Sequence, residues 1–496
     1  MNNKSHAYDC AVIGAGIGGL TTACLLAKKG NKVVVFEKNN YPGGYCSTFL
    51  RKEYRFESAI HAINGCGDTG RTREILSMCG VFKKISFLKP RDVYRIVLPG
   101  IDLRFPQQDV QSFVKILHAY FPIERTNIDN FFREVELLFR ETVNTDYAIS
   151  SSLIWKYKNL TLKDFLDNYF KNEMIKALLA QYWGYLGVPP SKLSAIHYLY
   201  MFWDYIANGA FYPEGGSEGV ARLLHDEIIE SGGEVFFGSE VKKVISTDGK
   251  IINKLLLKNG HECTAEVYIS NISAKTLIGE MLEGFALPES LSQRTKTTEQ
   301  SLSAFVIYLG LNKSLGPMGI TDYEIFLNSG FDCEKHYQMS LANDLAESQL
   351  AVTIYSNLDK TACPDNKSVL SIFALANYDE WKKMTRTEYT EKKSELSAAI
   401  IKRCSSIIPD LDQLIDVMEV ATPLTLENYS GSTKGALYGW VQDISQSSFR
   451  RQKPMTPIKN LYLTGAWTRP GGGFSSVVYS GGITAQYAEQ YLQEIR

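Results

Sequence analysis

The chain has 496 residues, more than one compact hydrophobic core organises, so two or three subdomains are expected. Its 53 Lys and Arg face 54 Asp and Glu, which leaves no basic surplus for nucleic acid. Nine cysteines without C-x-x-C spacing and seven histidines without an H-x-x-x-H cluster exclude a disulfide framework and a zinc site, so no metal is expected.

Residues Met1 to His6 lead almost at once into a first strand, and no secretory signal fits in that space. No stretch reaches the roughly 18 unbroken apolar residues that a spanning helix needs. The expected location is cytoplasmic, with peripheral membrane contact as the alternative.

Cys10 to Ile13 read as a short apolar strand, and Leu20 to Lys29 carry a helical pattern closed by Gly30. Between them Gly14, Gly16 and Gly19 stand at G-x-G-x-x-G spacing, with Gly18 among them as a further cofactor contact. Such glycines permit a tight turn, a close approach to a pyrophosphate and close packing of helix on strand. The helix N-terminus then presents free N–H groups to the diphosphate. Val33 to Phe36 form a second buried strand ending in Glu37, placed to accept hydrogen bonds from an adenosine ribose, with Lys38 beside it.

A second glycine pair follows in Tyr41-Pro42-Gly43-Gly44, where the backbone is expected to wrap a cofactor longer than NAD, that is FAD. The plainer reading of Gly43 and Gly44 is a surface turn. At the far end Asn460 to Thr464 read as a strand followed by Gly465, Ala466 and Trp467, then Gly473 and Phe474, then Ser480-Gly481-Gly482 and a helix from Ile483 to Leu492. This second strand, glycine loop and helix start would present backbone amides to the flavin, so both termini would build one site.

Further stretches carry a resemblance. Tyr54-Arg55-Phe56-Glu57-Ser58-Ala59-Ile60-His61 is similar to a Y-R-F-[DE]-x-G-x-H segment, and Phe211-Tyr212-Pro213-Glu214-Gly215-Gly216 to a Y-P-x-G-G element. Ile269-Ser270-Asn271 is similar to V-S-N, and Ala421-Thr422-Pro423 with Tyr438-Gly439-Trp440 to an A-T-P…Y-G pattern. Together these resemble the FAD-dependent phytoene desaturase superfamily, and within it the branch of carotenoid isomerases and retinol saturases. The resemblance implies an α/β fold with a Rossmann-type FAD-binding domain, glutathione-reductase-like or amine-oxidase-like, and an interleaved substrate domain of mixed sheet plus helices. It also implies that the strand at Val241 holds the adenine. Ala59 departs from the family's usual glycine, and Ala466 stands where many flavoproteins of this fold place an aspartate.

The expected division assigns residues 1–95, 215–300 and 445–496 to the FAD-binding domain and 96–214 with 301–444 to the substrate domain. Within the latter, 110–210 is expected to be helical, with a face toward a membrane. Phe305 to Leu311, Val352 to Tyr355 and Val369 to Ala374 read as strands of a mixed sheet roofing the flavin. The dense aromatics between Tyr182 and Tyr212 would line a tunnel for a polyene or acyl chain and a membrane-facing entrance, or simply fill a core.

Carbon–hydrogen bonds beside a polyene are too weakly acidic for a simple side-chain base, so the flavin must carry the redox chemistry. Glu57 and His61 are the candidate catalytic residues near the ring, or else a buried pair that anchors their segment. Tyr212, Tyr438, Trp440 and Trp467 are the candidate substrate contacts, or core. The expected function is a flavin oxidoreductase that desaturates, isomerises or saturates a carotenoid or related isoprenoid. A fatty-acyl or other natural-product substrate and a non-catalytic, flavin-bearing lipid carrier are the alternatives. No second G-x-G-x-x-G unit is present in residues 220 to 271, so electrons are expected to pass through oxygen, a quinone or a separate reductase.

Overall fold

A computed structural model describes residues 8–144, 152–282, 285–446 and 450–496. The leader read at Met1 to His6 lies outside the described residues. Tyr8–Ile13 is the middle strand of a five-stranded parallel sheet whose order is Leu461–Leu463, Ala265–Ser270, Tyr8–Ile13, Val33–Phe36, Glu234–Phe236. Val33 to Phe36 are all buried, because helices cover one face of the parallel sheet and the antiparallel strands Val241–Ile245, Lys254–Leu257 and Glu262–Cys263 cover the other.

The helix Ile17–Lys28 is buried along almost its whole length, since Glu218–Glu230 and Phe474–Ile495 both pack on it. The C-terminal helix starts earlier than its glycines suggest. Ser480, Gly481 and Gly482 lie inside Phe474–Ile495 and form no loop. Their small size serves helix packing: a Cβ on Gly481 would lie 2.7 Å from Thr21 Cβ and 3.0 Å from the Gly18 carbonyl oxygen.

A seven-stranded mixed sheet runs in the order Ile415–Ala421, Ser303–Leu311, Ser368–Ala376, Leu350–Thr353, Glu324–Leu327, Asp92–Leu98, Ile101–Pro106. Its second strand, Ser303–Leu311, alternates between two cores. Ala304, Val306 and Tyr308 join the aromatic core on one face, while Phe305, Ile307, Leu309 and Leu311 pack toward Arg386–Cys404 on the other. The expected strand at Val352 to Tyr355 stops at Thr353, and Tyr355 turns away in a 3-10 helix.

The helices Val110–Tyr120, Arg125–Asn144, Leu162–Asp167, Glu173–Leu179 and Ala195–Trp203 bury the aromatic core against that sheet. Trp183, Tyr198 and Phe202 sit wholly inside it, as in the plainer reading of the aromatic cluster. Tyr185, Tyr200 and Phe211 of the same stretch are half-buried. The nearby exposed apolar side chains are Tyr120, Ile123, Leu137 and Trp155, on the preceding helices and the turn between them. No helix among the described residues is long and apolar enough to cross a membrane.

Candidate flavin site

A cavity of about 360 Å³ runs between the two sheets. Gly14, Gly16, Ile17 and Gly18 line it where the first strand turns into the first helix. Gly16 caps that helix with no side-chain hydrogen bond, so the first-turn N–H groups are left for a ligand. Gly18 and Gly19 are there for packing: their Cβ atoms would stand 2.8 Å from Gly465 Cα and 2.3 Å from the Gly14 carbonyl oxygen. Gly19 does not line the cavity and holds the turn closed from behind.

Glu37 is buried and lines the same cavity. Its two oxygens accept hydrogen bonds from the Ala15 and Asn39 N–H groups, each at 2.8 Å. The carboxylate thus ties the glycine turn to the end of the second strand. Lys38 is exposed beside it, and Val241 follows closely because the Ser239 N–H donates to the Glu37 carbonyl. Gly43 and Gly44, both at positive φ, lie against the first turn, where the Gly43 N–H donates to the Ala15 carbonyl at 2.8 Å. The second glycine pair is part of the cavity wall.

At the other terminus, Ala466, Trp467, Gly473 and Phe474 line the cavity. Gly473 caps the C-terminal helix, again without a side-chain bond. Gly465 is covered by Asn271, whose Oδ1 would stand 2.2 Å from an added Cβ. Of the aromatic candidates, Tyr438 and Trp467 reach the cavity. Tyr212 and Trp440 do not: Tyr212 bonds to Glu57, and Trp440 packs edge-on against Trp467 at 4.9 Å.

The segment Ser58 to Ala62 forms the cavity wall beneath the seven-stranded sheet, and tyrosines fix its backbone. The hydroxyls of Tyr308, Tyr355, Tyr323 and Tyr205 donate to the carbonyls of Ser58, Ile60, His61 and Ala62 at 2.6, 3.1, 2.6 and 3.2 Å. Each ring buries its apolar body and spends its hydroxyl on an otherwise unsatisfied acceptor.

Glu57 accepts from the Ser217 N–H at 2.8 Å, the Ser217 hydroxyl at 2.7 Å and the Tyr212 hydroxyl at 3.1 Å. Burial raises its pKa to about 7, against the lowering effect of those donors. His61 lies between the rings of Tyr185 and Phe373, and burial lowers its pKa to about 4. It also borders a second space of about 160 Å³, lined by Tyr185, Ile196, Tyr200, Met201, Tyr438 and Tyr479 among others.

Three contributors have no clear sequence signal. Arg451 is buried and donates to the carbonyls of Tyr438, Trp440 and Ala466 at 2.9, 3.1 and 2.6 Å, drawing together loops from both sheets. Burial lowers its pKa to about 9. Glu324 and Thr353 stand behind His61, on strands paired at that register. Asn271 had a signal in the V-S-N segment.

Backbone donors at two uncapped helix starts, a buried acid beside the first and an apolar wall under a sheet together fit an FAD. A family model described as "Flavin containing amine oxidoreductase" matches residues 17–488. The chain belongs to this family. It is an FAD-dependent oxidoreductase of the phytoene desaturase superfamily. It is 26% identical over 502 residues to a prolycopene isomerase of Daucus carota, covering 97% of this chain and 80% of that protein. It is 26% identical over 500 residues to an all-trans-retinol 13,14-reductase of Danio rerio, covering 92% and 82%. It is 28% identical over 502 residues to a 1-hydroxycarotenoid 3,4-desaturase of Flavobacterium sp. (strain P99-3), covering 96% and 97%. An oxidoreductase from Methanosarcina mazei shares the fold, with a TM-score of 0.67, 16% identity and 96% and 100% of the two chains covered.

Proposed function

We propose that this oxidoreductase acts on a carbon–carbon bond of a long hydrophobic polyene, a carotenoid or related isoprenoid. The observation that carries this reading is the space beside His61, where Leu186, Ile196, Tyr200, Met201 and Tyr479 face a polar edge of Asn64, Arg71, His197 and Asp204, and which shares Tyr185, Tyr438 and Phe474 with the flavin cavity. A polyene placed there has one segment against the ring face and its ends among apolar side chains. Bound FAD supplies the hydride acceptor or donor. The protein's own residues orient the chain, exclude water and hold the Ser58 to Ala62 wall still through the four tyrosine hydroxyls. Glu57, its oxygens engaged by protein donors, anchors that wall, and His61 faces the reacting carbons.

In this reading Gly14, Gly16 and Gly18 hold the diphosphate, Glu37 the ribose, Val241 the adenine, and Gly43, Gly44, Ala466, Gly473 and Phe474 the ribityl chain and ring. A bilayer would deliver the substrate, docking against the exposed Tyr120, Ile123, Leu137 and Trp155. Electrons would exchange with oxygen, a quinone or a reductase. Aerobic and anaerobic incubation of the purified protein with prolycopene and all-trans-retinol tests the reading through product mass and flavin colour. A loss or gain of two hydrogens, or a cis–trans change, supports it. Turnover of fatty-acyl chains alone, or binding without any flavin change, refutes it.

A further inference from the structure

If the site works on a carbon–carbon double bond, as proposed above, hydride transfer accounts for only one of the two hydrogens involved. The other must travel as a proton, and a polyene has no polar group to carry it. The only redox partner such a step needs is the flavin already assigned to this family.

His61 sits on the wall common to both spaces. Its Nδ1 lies 2.5 Å from Thr353 Oγ1, and that oxygen lies 2.8 Å from Glu324 Oε2. The other Glu324 oxygen accepts from the Tyr185 hydroxyl at 2.7 Å, which fixes the carboxyl. The Thr353 hydroxyl donates to Glu324 Oε2 when that oxygen is ionised; with the acid protonated there, the hydroxyl accepts from it and donates to His61 Nδ1, which gives an unbroken line of hydrogen bonds from a buried acid to an imidazole that lines the cavity.

We propose that Glu324, Thr353 and His61 form a proton wire that delivers a proton from His61 Nε2 to an olefinic carbon, so that the site stands ready to saturate a double bond. In that step two electrons and one hydrogen reach the substrate as hydride from reduced FAD, and the proton comes from Nε2. Nδ1 then takes the Thr353 hydroxyl proton and Thr353 takes the Glu324 proton. His61 ends as the other neutral tautomer and Glu324 as a carboxylate. Reprotonation of Glu324 and re-reduction of FAD by a separate reductase or quinol complete the cycle. His61 is the catalytic residue; Thr353 and Glu324 act through it.

The surroundings keep the wire loaded. Glu324 is buried among the phenols of Tyr182, Tyr185, Tyr205, Tyr323 and Tyr355, and its only described basic neighbour is His61, 3.9 Å away. Glu57 shares Tyr323 and Tyr355 as neighbours and adds no positive charge. On the neighbouring strands Arg95 and Arg104 are taken up by Asp102 and Asp322. Burial raises the Glu324 pKa to about 8 and lowers that of His61 to about 4. At neutral pH the acid holds its proton and the imidazole is neutral.

The test is anaerobic mixing of dithionite-reduced holoenzyme with all-trans-retinol or prolycopene in detergent micelles, in H2O and in D2O. We expect flavin reoxidation to slow as pH rises through about 8, and one solvent deuterium to appear in the product. Glu324→Gln and Thr353→Val should slow reoxidation by roughly 10²- to 10⁴-fold and abolish the pH step while leaving FAD affinity unchanged, and Thr353→Ser should recover most of the rate. A Glu324→Gln variant with wild-type rate and pH profile would overturn the proposal. Should the wild type react with neither probe, the polyene reading fails, and the wire is judged separately on resting holoenzyme. There it requires an infrared protonated-carboxyl band that titrates near pH 8 and is lost in Glu324→Gln, with His61 as the Nε2–H tautomer by nitrogen-15 NMR. An ionised Glu324 at pH 7 overturns it.

Discussion

Replacing Glu37 with alanine should damage the protein twice, in ways that can be separated. In the structure its carboxylate satisfies two N–H groups, the buried one of Ala15 and the half-buried one of Asn39, at 2.8 Å each. Alanine leaves both donors without an acceptor. An unmade hydrogen bond to a buried donor costs about 1–3 kcal/mol, so loss of the pair should lower stability by about 2–4 kcal/mol, at the low end if water enters the gap. That cost belongs to the apoprotein. If the same carboxylate also receives the adenosine ribose, FAD should bind more weakly by a further 1–3 kcal/mol, roughly 5- to 150-fold in Kd. Urea unfolding of the apoprotein measures the first quantity, and titration of FAD into folded apoprotein measures the second. Apoprotein stability within about 0.5 kcal/mol of wild type would refute the structural part. Unchanged FAD affinity in a folded variant would refute the ribose assignment.

Heat denaturation should release a yellow chromophore with the mass of FAD, because Cys46, the thiol on the cavity wall, is pushed far above its usual pKa by burial and is not the thiolate a covalent link needs; flavin retained on the chain would contradict this. Direct reduction by NADH or NADPH should be slow, since residues 220 to 271 carry no second G-x-G-x-x-G unit; rapid, saturable bleaching on anaerobic mixing would move the reading toward an NAD(P)H-driven reductase. Folded Glu57 and Glu324 keep their protons to about pH 7 and 8, against 4.5 as ordinary carboxyls, so the folded state binds more protons and stability falls as pH rises through this range. Below pH 6.5 His61 and His197, held near 4 by burial, act in the opposite direction, so the clean window runs from 6.5 to 8. Across it the Glu324→Gln variant should lose roughly 1 to 2 kcal/mol less stability than wild type, and parallel stability curves would contradict the buried-acid assignment.

The nucleotide half of the fold was legible because its chemistry is local. A strand, three spaced glycines, a helix, a second strand and an acid follow one another within residues 9–37, and the Glu37 carboxylate closes back on the Ala15 N–H, so sequence spacing and spatial arrangement coincide. The C-terminal helix misled because Gly481 and Gly482 read as loop residues when only their own stretch is considered. Their reason for being small is Thr21 and Gly18, far away in the chain. The aromatic stretch from Tyr182 to Tyr212 carried a mixed message for the same cause: Tyr185, Tyr200 and Tyr205 line the second space while Trp183, Tyr198 and Phe202 fill the core, and helical period alone does not tell these apart. Glu324 and Thr353 left no signal, since a Glu and a Thr in apolar strands are ordinary until strand register brings them together behind His61. Arg451 left no signal either, because it becomes a buried hub only when three carbonyls from separate turns converge on it.

Flavin-mediated chemistry on a polyene is read out by anaerobic mixing of the enzyme, in oxidised and in reduced form, with prolycopene and all-trans-retinol. The expected result is a change in flavin absorbance coupled one-to-one to a product altered by two hydrogens, or a cis–trans change that requires reduced flavin. A flavin that stays unchanged with every polyene and bleaches with an aliphatic amine would contradict it.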